Sequence, residues 1–253
     1  MTRHRGRIAL LALGVLAVAL AAGVAVHLKT GHHQASRRQP PSARSASPAA
    51  PVLPAPAGWT LIATVQTGIP RYPRPGGAPD GTVPARWYGM PSALPVIGQQ
   101  PGWLRVRLST RPNGSIAWIR RADAAVTATP YRITLSLATR HLELFRADKL
   151  VMSAPAGIGT GSDPTPAGQF FAAFFERSPG SGYGPFILVT SAHSETITDW
   201  ENSGDAVVGI HGPLGARIGP AGAAVSHGCI RLPVGDLIRL RVIPAGTPIT
   251  ITA

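Results

Sequence analysis

The chain is poor in three kinds of residue: cysteine, acidic residues and aromatics. Its 253 residues include one cysteine, 11 aspartates and glutamates against 24 lysines and arginines, and only 6% aromatic residues. A single cysteine excludes a disulfide within the chain. The 29 glycines and 26 prolines disfavour an all-helical fold, while 44% apolar residues are enough for the cores of one or two domains.

The positive charge is unevenly distributed along the chain. Residues 1–58 carry seven basic and no acidic residues, residues 59–126 carry eight against two, and residues 127–253 carry nine of each. The C-terminal half is therefore neutral, which argues against nucleic acid as a partner of that half. Anionic lipid headgroups or anionic wall polymers are candidate partners of the basic half, and charge that merely favours solubility is the alternative.

The N-terminus predicts a location outside the cytoplasm. Residues 8–26 contain no charge and are long enough to cross a membrane, and Arg3, Arg5 and Arg7 before them favour a cytoplasmic N-terminus. We predict a membrane anchor or, alternatively, a cleaved signal segment over residues 1–28. Residues 29–57, rich in proline, serine and alanine, are predicted to be a disordered linker.

Residues 58–127 predict a small β domain. Short apolar runs alternate with turn residues, and period-two alternation over residues 103–108, followed by Pro-Asn-Gly at 112–114, indicates a hairpin. The paired segments 102–104 and 114–119 resemble those of bacterial SH3-like barrels. Four tryptophans could line a ligand groove or fill the core of this domain: Trp59, Trp87, Trp103 and Trp118.

Residues 128–253 predict a second domain that is mainly β with a minor helix. Alternation at 133–137 and 142–145 around a short turn indicates a hairpin. Residues 170–175, 186–189 and 207–210 predict further strands, and only residues 234–240 predict a short helix.

The cysteine, Cys229, lies in the run 226–231, Ser-His-Gly-Cys-Ile-Arg. It follows His211 by eighteen residues. A thiol is mostly protonated near neutral pH, so a nucleophilic Cys229 needs a base, which His211 or His227 could be. Gly228 lets the backbone approach a ligand and direct N–H groups at an oxyanion. Alternatively, Cys229 is a small buried apolar residue. A zinc site that also includes His193 is disfavoured because the spacing fits no familiar ligand pattern, and we predict no metal and no cofactor.

This arrangement resembles the active-site signature of the L,D-transpeptidase (YkuD) catalytic domain. The resemblance consists of His211, fourteen intervening residues and the run 226–231, together with the turn 163–170, Asp-Pro-Thr-Pro-Ala-Gly-Gln-Phe. Arg231 departs from the asparagine that often follows the hydrophobic residue in this family. The resemblance implies a β-sandwich catalytic domain over residues 128–253.

The resemblance also implies roles for individual residues. Cys229 would be the nucleophile and His211 the general base, with His227 a supporting residue and Gly228 part of the oxyanion loop. A purely structural histidine is the alternative for His227. Tyr183 lies in a segment that resembles a substrate-cleft loop of the family, and a residue of a surface turn is the alternative.

Two further residues are candidates for substrate binding. Arg231 could bind a substrate carboxylate, or it could form a salt bridge with Asp236 or another acidic residue and hold the loop. Ser226 is a second candidate, although a hydrogen bond within its own loop would also explain it. Without motif support, three other residues are predicted to be structural: Ser191, His193 and Trp200.

The implied function is acyl transfer in the bacterial cell wall. By resemblance, Cys229 would attack a peptidoglycan stem peptide and a second stem would resolve the thioester into a 3→3 cross-link. A thiol, a base and an oxyanion loop are also what acyl transfer without a cofactor requires. Two alternatives remain open: a thiol carboxypeptidase or endopeptidase that transfers the acyl group to water, and a non-catalytic wall-binding protein.

Overall fold

The computed structural model describes residues 53–253, which fold as a mainly β structure with one short α-helix. The predicted anchor and nearly all of the predicted linker lie outside the described residues. Within residues 53–253 no helix is long and apolar enough to cross a membrane.

The first eight strands form a six-stranded antiparallel sheet and a separate two-stranded ribbon, β2–β3. Hydrogen bonding in the larger sheet follows the order β7-β6-β5-β1-β8, with β4 paired to β5. The strands are β1 (Thr60–Val65), β2 (Ile69–Arg71), β3 (Gly81–Val83), β4 (Arg86–Trp87), β5 (Met90–Gln100), β6 (Trp103–Arg107), β7 (Ile116–Arg120) and β8 (Ala124–Thr129), with a 3₁₀ turn at Arg121–Asp123.

The hairpin predicted in this region is confirmed by the pairing of β6 with β7. Leu104 lies opposite Ile119 and both are fully buried, whereas Arg105 on the other face is exposed. This alternation is what a sheet with one buried face requires. The hydrogen-bonded order of this sheet begins at β7 and ends at β8, so these two strands are its edges. The SH3-like barrel stays a prediction.

The remaining ten strands form one continuous path in the order β11-β10-β9-β18-β13-β14-β15-β17-β12-β16. The strands are β9 (Tyr131–Ser136), β10 (His141–Arg146), β11 (Lys149–Pro155), β12 (Gly157–Gly159), β13 (Gly168–Arg177), β14 (Phe186–His193), β15 (Val207–His211), β16 (Ala223–Ser226), β17 (Ile230–Arg231) and β18 (Pro248–Thr252). The β9–β10 hairpin is confirmed, and the predicted helix is α1 (Val234–Arg239), followed by a 3₁₀ turn at Leu240–Val242.

Strand β13 is buried on both faces and connects two hydrophobic cores. Phe170 and Ala172 pack into the core of the ten-stranded sheet, whereas Phe171, Ala173 and Phe174 pack with residues of the first sheet. An irregularity in the register between Ala172 and Phe174 places two consecutive side chains in the second core. The two sheets therefore share a core, so the predicted boundary at 127/128 does not separate two independent cores.

The ends of two parallel neighbours, β15 and β17, position the candidate site. Ile210 lies opposite Ile230 and His211 opposite Arg231, and the Leu232 N–H donates to the His211 carbonyl at 2.9 Å. The loop between β16 and β17 carries Cys229. Because Ile230 is fully buried in the sheet core, the strand that follows the cysteine is fixed.

In the described part of the chain, no ring contact joins any two of the four tryptophans, and the ligand groove stays a prediction. Trp103 packs edge-on against Tyr72, with ring centroids 4.9 Å apart, and Trp87 packs at 6.0 Å from Phe174 of the second sheet.

Candidate active site

His211 is the buried residue that ends strand β15. Its Nδ1 lies 2.8 Å from the Gly212 carbonyl oxygen, which can only accept, so Nδ1 carries the proton and Nε2 keeps a free lone pair. Burial lowers the pKa of His211, the nearby charge of Arg231 lowers it further, and the bond to Gly212 only partly opposes these effects. His211 is therefore neutral near pH 7 and able to accept a proton.

Cys229 is half-buried in the loop between β16 and β17. Its Sγ accepts a hydrogen bond of 3.4 Å from the Gly209 N–H. Burial raises the pKa of the Cys229 thiol, and the Gly209 N–H and the positive charge of Arg231 offset this only in part. The resting group is a neutral thiol, so attack on a carbonyl requires a base.

His211 and Cys229 both approach Gly209. A Cβ placed on Gly209 would lie 3.9 Å from His211 Cδ2 and 4.0 Å from Cys229 Sγ, and it would clash with Ile187 Cγ2 at 2.8 Å. Within residues 53–253 no hydrogen bond joins the two side chains directly. Such contacts are often loose without a bound substrate, so the arrangement fits a nucleophile and its base.

Short hydrogen bonds hold the cysteine loop. Ser226 Oγ donates to the Cys229 carbonyl at 2.6 Å and accepts from the Gly228 N–H at 3.2 Å. Gly228 has φ +112°, a conformation that favours glycine. Its N–H is thus engaged by Ser226, whereas the Cys229 N–H has no acceptor among the described residues and is the freer candidate for an oxyanion donor. The oxyanion role of Gly228 stays a prediction.

Thr165 anchors this loop from the turn 163–170, and it was not among the residues predicted to form the site. Its buried Oγ1 accepts from the Gly159 N–H at 2.9 Å and donates to the Gly228 carbonyl at 2.8 Å. The two segments quoted for the family resemblance are therefore in direct contact. The only sequence signal for this role was that Thr165 belongs to the second of those segments.

The cysteine and histidine open into a cleft of about 470 Å³ that both sheets line. Tyr183 lies on it, with its ring centroid 4.9 Å from that of His211 and its carbonyl accepting from the Gly212 N–H at 2.7 Å. Tyr88, in the turn between β4 and β5 of the first sheet, also lines the cleft. A volume of this size accommodates a short peptide segment.

Two residues on the wall of the cleft pack against each other. The His227 ring lies 5.9 Å from the ring of Trp200, and both line the cleft. Trp200 was predicted to be structural. Its contact with His227 could not be predicted, because the two residues are 27 positions apart and no sequence pattern connects them. His227 does not approach Gly209 as His211 does, which favours His211 as the base.

Arg231 also lines the cleft, with no acidic partner among residues 53–253. Asp236 is instead 3.7 Å from Arg239, so the alternative of an Arg231–Asp236 salt bridge is wrong. Among the described residues, the only hydrogen bond of the guanidinium is a long one of 3.5 Å to the Pro213 carbonyl, and its buried Nε has no partner there. The arrangement leaves a guanidinium available for an anionic ligand.

No metal site is apparent in the described part of the chain. No group of three or more histidine, cysteine, aspartate or glutamate residues there is placed to hold a metal ion. His193, the additional residue of the zinc alternative, contacts the first sheet instead of the cysteine loop. The prediction that the chain needs no metal and no cofactor stays a prediction.

Comparison with known proteins gives matches to one family. Residues 130–251 match the sequence profile of the L,D-transpeptidase catalytic domain, YkuD. A Bacillus licheniformis protein provisionally named L,D-transpeptidase YkuD is 33% identical over 158 residues, which are 62% of this chain and 84% of that protein. Its Bacillus subtilis namesake is 31% identical over 123 residues, 48% of this chain and 66% of that protein. The solved structure of an L,D-transpeptidase from Mycobacterium smegmatis is 20% identical, with a TM-score of 0.39, and the match covers 76% of this chain and 82% of that one.

Proposed function

The chain belongs to the L,D-transpeptidase (YkuD) family. We propose that it forms 3→3 cross-links between peptidoglycan stem peptides through a thioester on Cys229. The observation that carries the proposal is that Cys229 Sγ and His211 both lie within about 4 Å of one point beside Gly209, and that all three residues line the cleft. Family membership makes the chain an enzyme and supports peptidoglycan as the substrate class.

In the first step, Cys229 Sγ attacks the carbonyl carbon of the L-centre at position three of a donor stem. The new C–S bond forms as the thiol proton passes to His211 Nε2, and the carbonyl oxygen becomes an oxyanion next to the Cys229 N–H. When the C–N bond breaks, His211 returns its proton to the leaving amine, and the terminal D-alanine departs. The product is a thioester with a neutral histidine.

In the second step, the amine of an acceptor stem attacks the thioester carbonyl. His211 removes a proton from the attacking amine and returns it to the sulfur, so Cys229 is regenerated as a neutral thiol. No energy-rich nucleotide is needed, because the free energy of the broken peptide bond is retained in the thioester. Arg231, which has no acidic partner in the described part of the chain, is placed to bind a carboxylate of one of the two stems.

The proposed location is outside the cytoplasm, on the membrane or in the wall space. The charge-free residues 8–26 and the linker 29–57 support this part of the proposal from sequence alone. The excess of basic residues before residue 127 is compatible with anionic wall polymers as additional partners.

The proposal is tested by incubating the full chain, purified in mild detergent, with a disaccharide-tetrapeptide and following the products by mass spectrometry. We expect a dimer that has lost one D-alanine, together with a transient protein adduct on Cys229. Cys229→Ala should give neither product. His211→Gln should lower the rate by about 10²- to 10⁴-fold, the usual contribution of a general base.

The products separate the proposal from its alternatives. Monomeric disaccharide-tripeptide without dimer would show that water resolves the thioester and that the enzyme is a hydrolase. An untouched tetrapeptide and no adduct, with a folded wild-type protein by circular dichroism, would contradict the catalytic proposal.

A further inference from the structure

One side of the cleft is formed by residues 194–206, the cleft wall, which connect β14 to β15. This segment supplies Trp200, whose ring packs 5.9 Å from that of His227 in the cysteine loop. Any displacement of the cleft wall would therefore change the shape of the site next to the nucleophile.

The cleft wall has little regular structure of its own. Its thirteen residues contain no helix or strand, and Glu201 and Asn202 both have positive φ. The backbone bonds that close it are the Ser194 N–H to the Ala206 carbonyl at 2.8 Å and the Trp200 N–H to the Asp205 carbonyl at 2.9 Å. A connection of this length without secondary structure needs support from elsewhere to hold one conformation.

Arg111 supplies that support from the first sheet. It lies in the loop between β6 and β7, and its Nε and Nη2 are each 2.9 Å from Asp205 Oδ1. Its Nη1 donates to the Ser194 carbonyl at 2.9 Å and its Nη2 to the Ile197 carbonyl at 3.3 Å. One guanidinium thus joins both ends of the cleft wall, a geometry that requires several donors fixed in one plane.

The same loop also holds His193, the residue just before the cleft wall. Asn113 Nδ2 donates to the His193 carbonyl at 2.8 Å, and Asn113 Oδ1 accepts from the His193 N–H at 2.9 Å. The buried His193 ring lies between two acceptors, with Nε2 2.9 Å from the Ser109 carbonyl and Nδ1 2.8 Å from Asp205 Oδ2. A neutral ring carries a single N–H and can donate to only one of these two acceptors, and the contact to Asp205 is an ion pair only when the ring is protonated.

Asp205 is the point where these contacts meet. Burial alone would favour its neutral form, but hydrogen bonds from His193, the Ala206 N–H and Arg111 outweigh burial, and the pKa of Asp205 is lowered. The carboxylate is therefore ionised at neutral pH, when it pairs with the Arg111 guanidinium.

We propose that Arg111 and Asn113, on a loop of the first sheet, are positioning residues that hold the cleft wall in the conformation that binds the stem peptide. The first sheet is then part of the active site, and not only a spacer between the linker and the second sheet. The role in substrate binding depends on the proposed function, whereas the role in holding the cleft wall does not.

The structural part is tested by hydrogen–deuterium exchange of the full chain in mild detergent. For Arg111→Ala and for Asn113→Ala, we expect amides of residues 194–206 to exchange about tenfold faster or more, because each hydrogen bond to a charged or buried group shifts a local opening equilibrium by that order. Exchange in strands β9 and β18 of the second sheet, which do not line the cleft, should remain at the wild-type rate. Arg105→Ala is the matched control, since Arg105 is exposed on the same sheet and contacts none of the cleft wall.

The functional part is tested by steady-state kinetics with the disaccharide-tetrapeptide. We expect Arg111→Ala to raise KM about tenfold with kcat within about threefold of wild type, because the cleft wall lines the proposed binding site of the stem peptide, whereas Cys229 and His211 are held by the second sheet. Arg111→Lys keeps the charge but not the planar set of donors, so it should restore only part of the loss.

Each outcome decides between a positioning role and a merely structural one. Exchange in residues 194–206 at the rate of Arg105→Ala would overturn the proposal, whatever the enzyme does. Faster exchange throughout the second sheet for both Arg111→Ala and Asn113→Ala would show general destabilisation and would also overturn it. If wild type is inactive on the stem peptide, the exchange result still decides the positioning role, and only the proposed function fails.

Discussion

Replacing Thr165 by valine should detach the cysteine loop from the turn that supports it. The hydroxyl accepts from the Gly159 N–H and donates to the Gly228 carbonyl, at 2.9 and 2.8 Å, and it is buried. Valine has nearly the same shape but neither accepts nor donates, so two buried backbone groups lose their partner. Each such loss costs about 1–3 kcal/mol.

The expected destabilisation of Thr165→Val is about 3 kcal/mol, which corresponds to a fall in Tm of about 6–12 °C for a chain of this size. Thr165→Ser is the matched control, because it keeps the hydroxyl and removes one buried methyl, at a cost of about 1 kcal/mol. Thermal unfolding followed by circular dichroism measures both values.

Activity should fall with stability in the valine variant alone. The Gly228 carbonyl is next to Cys229 in the chain, and displacing a reacting group by about 1 Å can cost about 100-fold in rate. We therefore expect kcat on the tetrapeptide to fall about 10- to 100-fold for Thr165→Val and less than about threefold for Thr165→Ser. Equal Tm and equal kcat for the two variants would refute the anchoring role of the hydroxyl.

Two further predictions concern the thiol and the same turn. The rate of Cys229 alkylation by iodoacetamide should increase with pH through a midpoint above the ordinary thiol pKa of 9.0, because burial raises the pKa of this group. A rate that is already at its plateau near pH 7 would instead show a resting thiolate. Gly159→Ala should abolish a soluble fold or lower Tm by more than about 10 °C, because its Cβ would lie 2.2 Å from the Asp163 carbonyl oxygen. Gly161→Ala is the control and should leave Tm nearly unchanged, because its Cβ would have no atom within 4 Å. Similar Tm values for the two variants would contradict the close approach at Gly159.

The elements predicted correctly from sequence are those whose signal is local. The hairpins β6–β7 and β9–β10 follow from alternation around a short turn, and α1 follows from a short apolar pattern. Strand β18 was missed because it gains its partners, β9 and β13, from segments about 80 to 120 residues away. Strand β13 was predicted as a strand, but its burial on both faces depends on the first sheet packing against it.

The candidate site divides in the same way. Cys229 and His211 could be predicted because their residue types and their spacing carry the chemistry, although the assigned roles remain predictions. Thr165 and Arg111 could not, since their contacts are to Gly228 and Asp205, 63 and 94 residues away along the chain. A threonine or arginine has no distinctive pattern around it, so only the folded chain shows which carbonyl or carboxylate it meets.

The resting state of the pair has a consequence for a nucleophile that works outside the cytoplasm, as proposed. Burial raises the pKa of Cys229 and lowers that of His211, so both shifts favour the neutral thiol and neutral imidazole over a thiolate–imidazolium pair. A neutral thiol reacts slowly with oxidants and small electrophiles, which matters because the chain has no second cysteine that could trap a sulfenic acid on Cys229 as a disulfide before further oxidation. Nucleophilicity would then arise only when a carbonyl in the cleft lets proton transfer to His211 accompany formation of the C–S bond. The burial that slows the free thiol therefore confines its reactivity to a bound acyl donor.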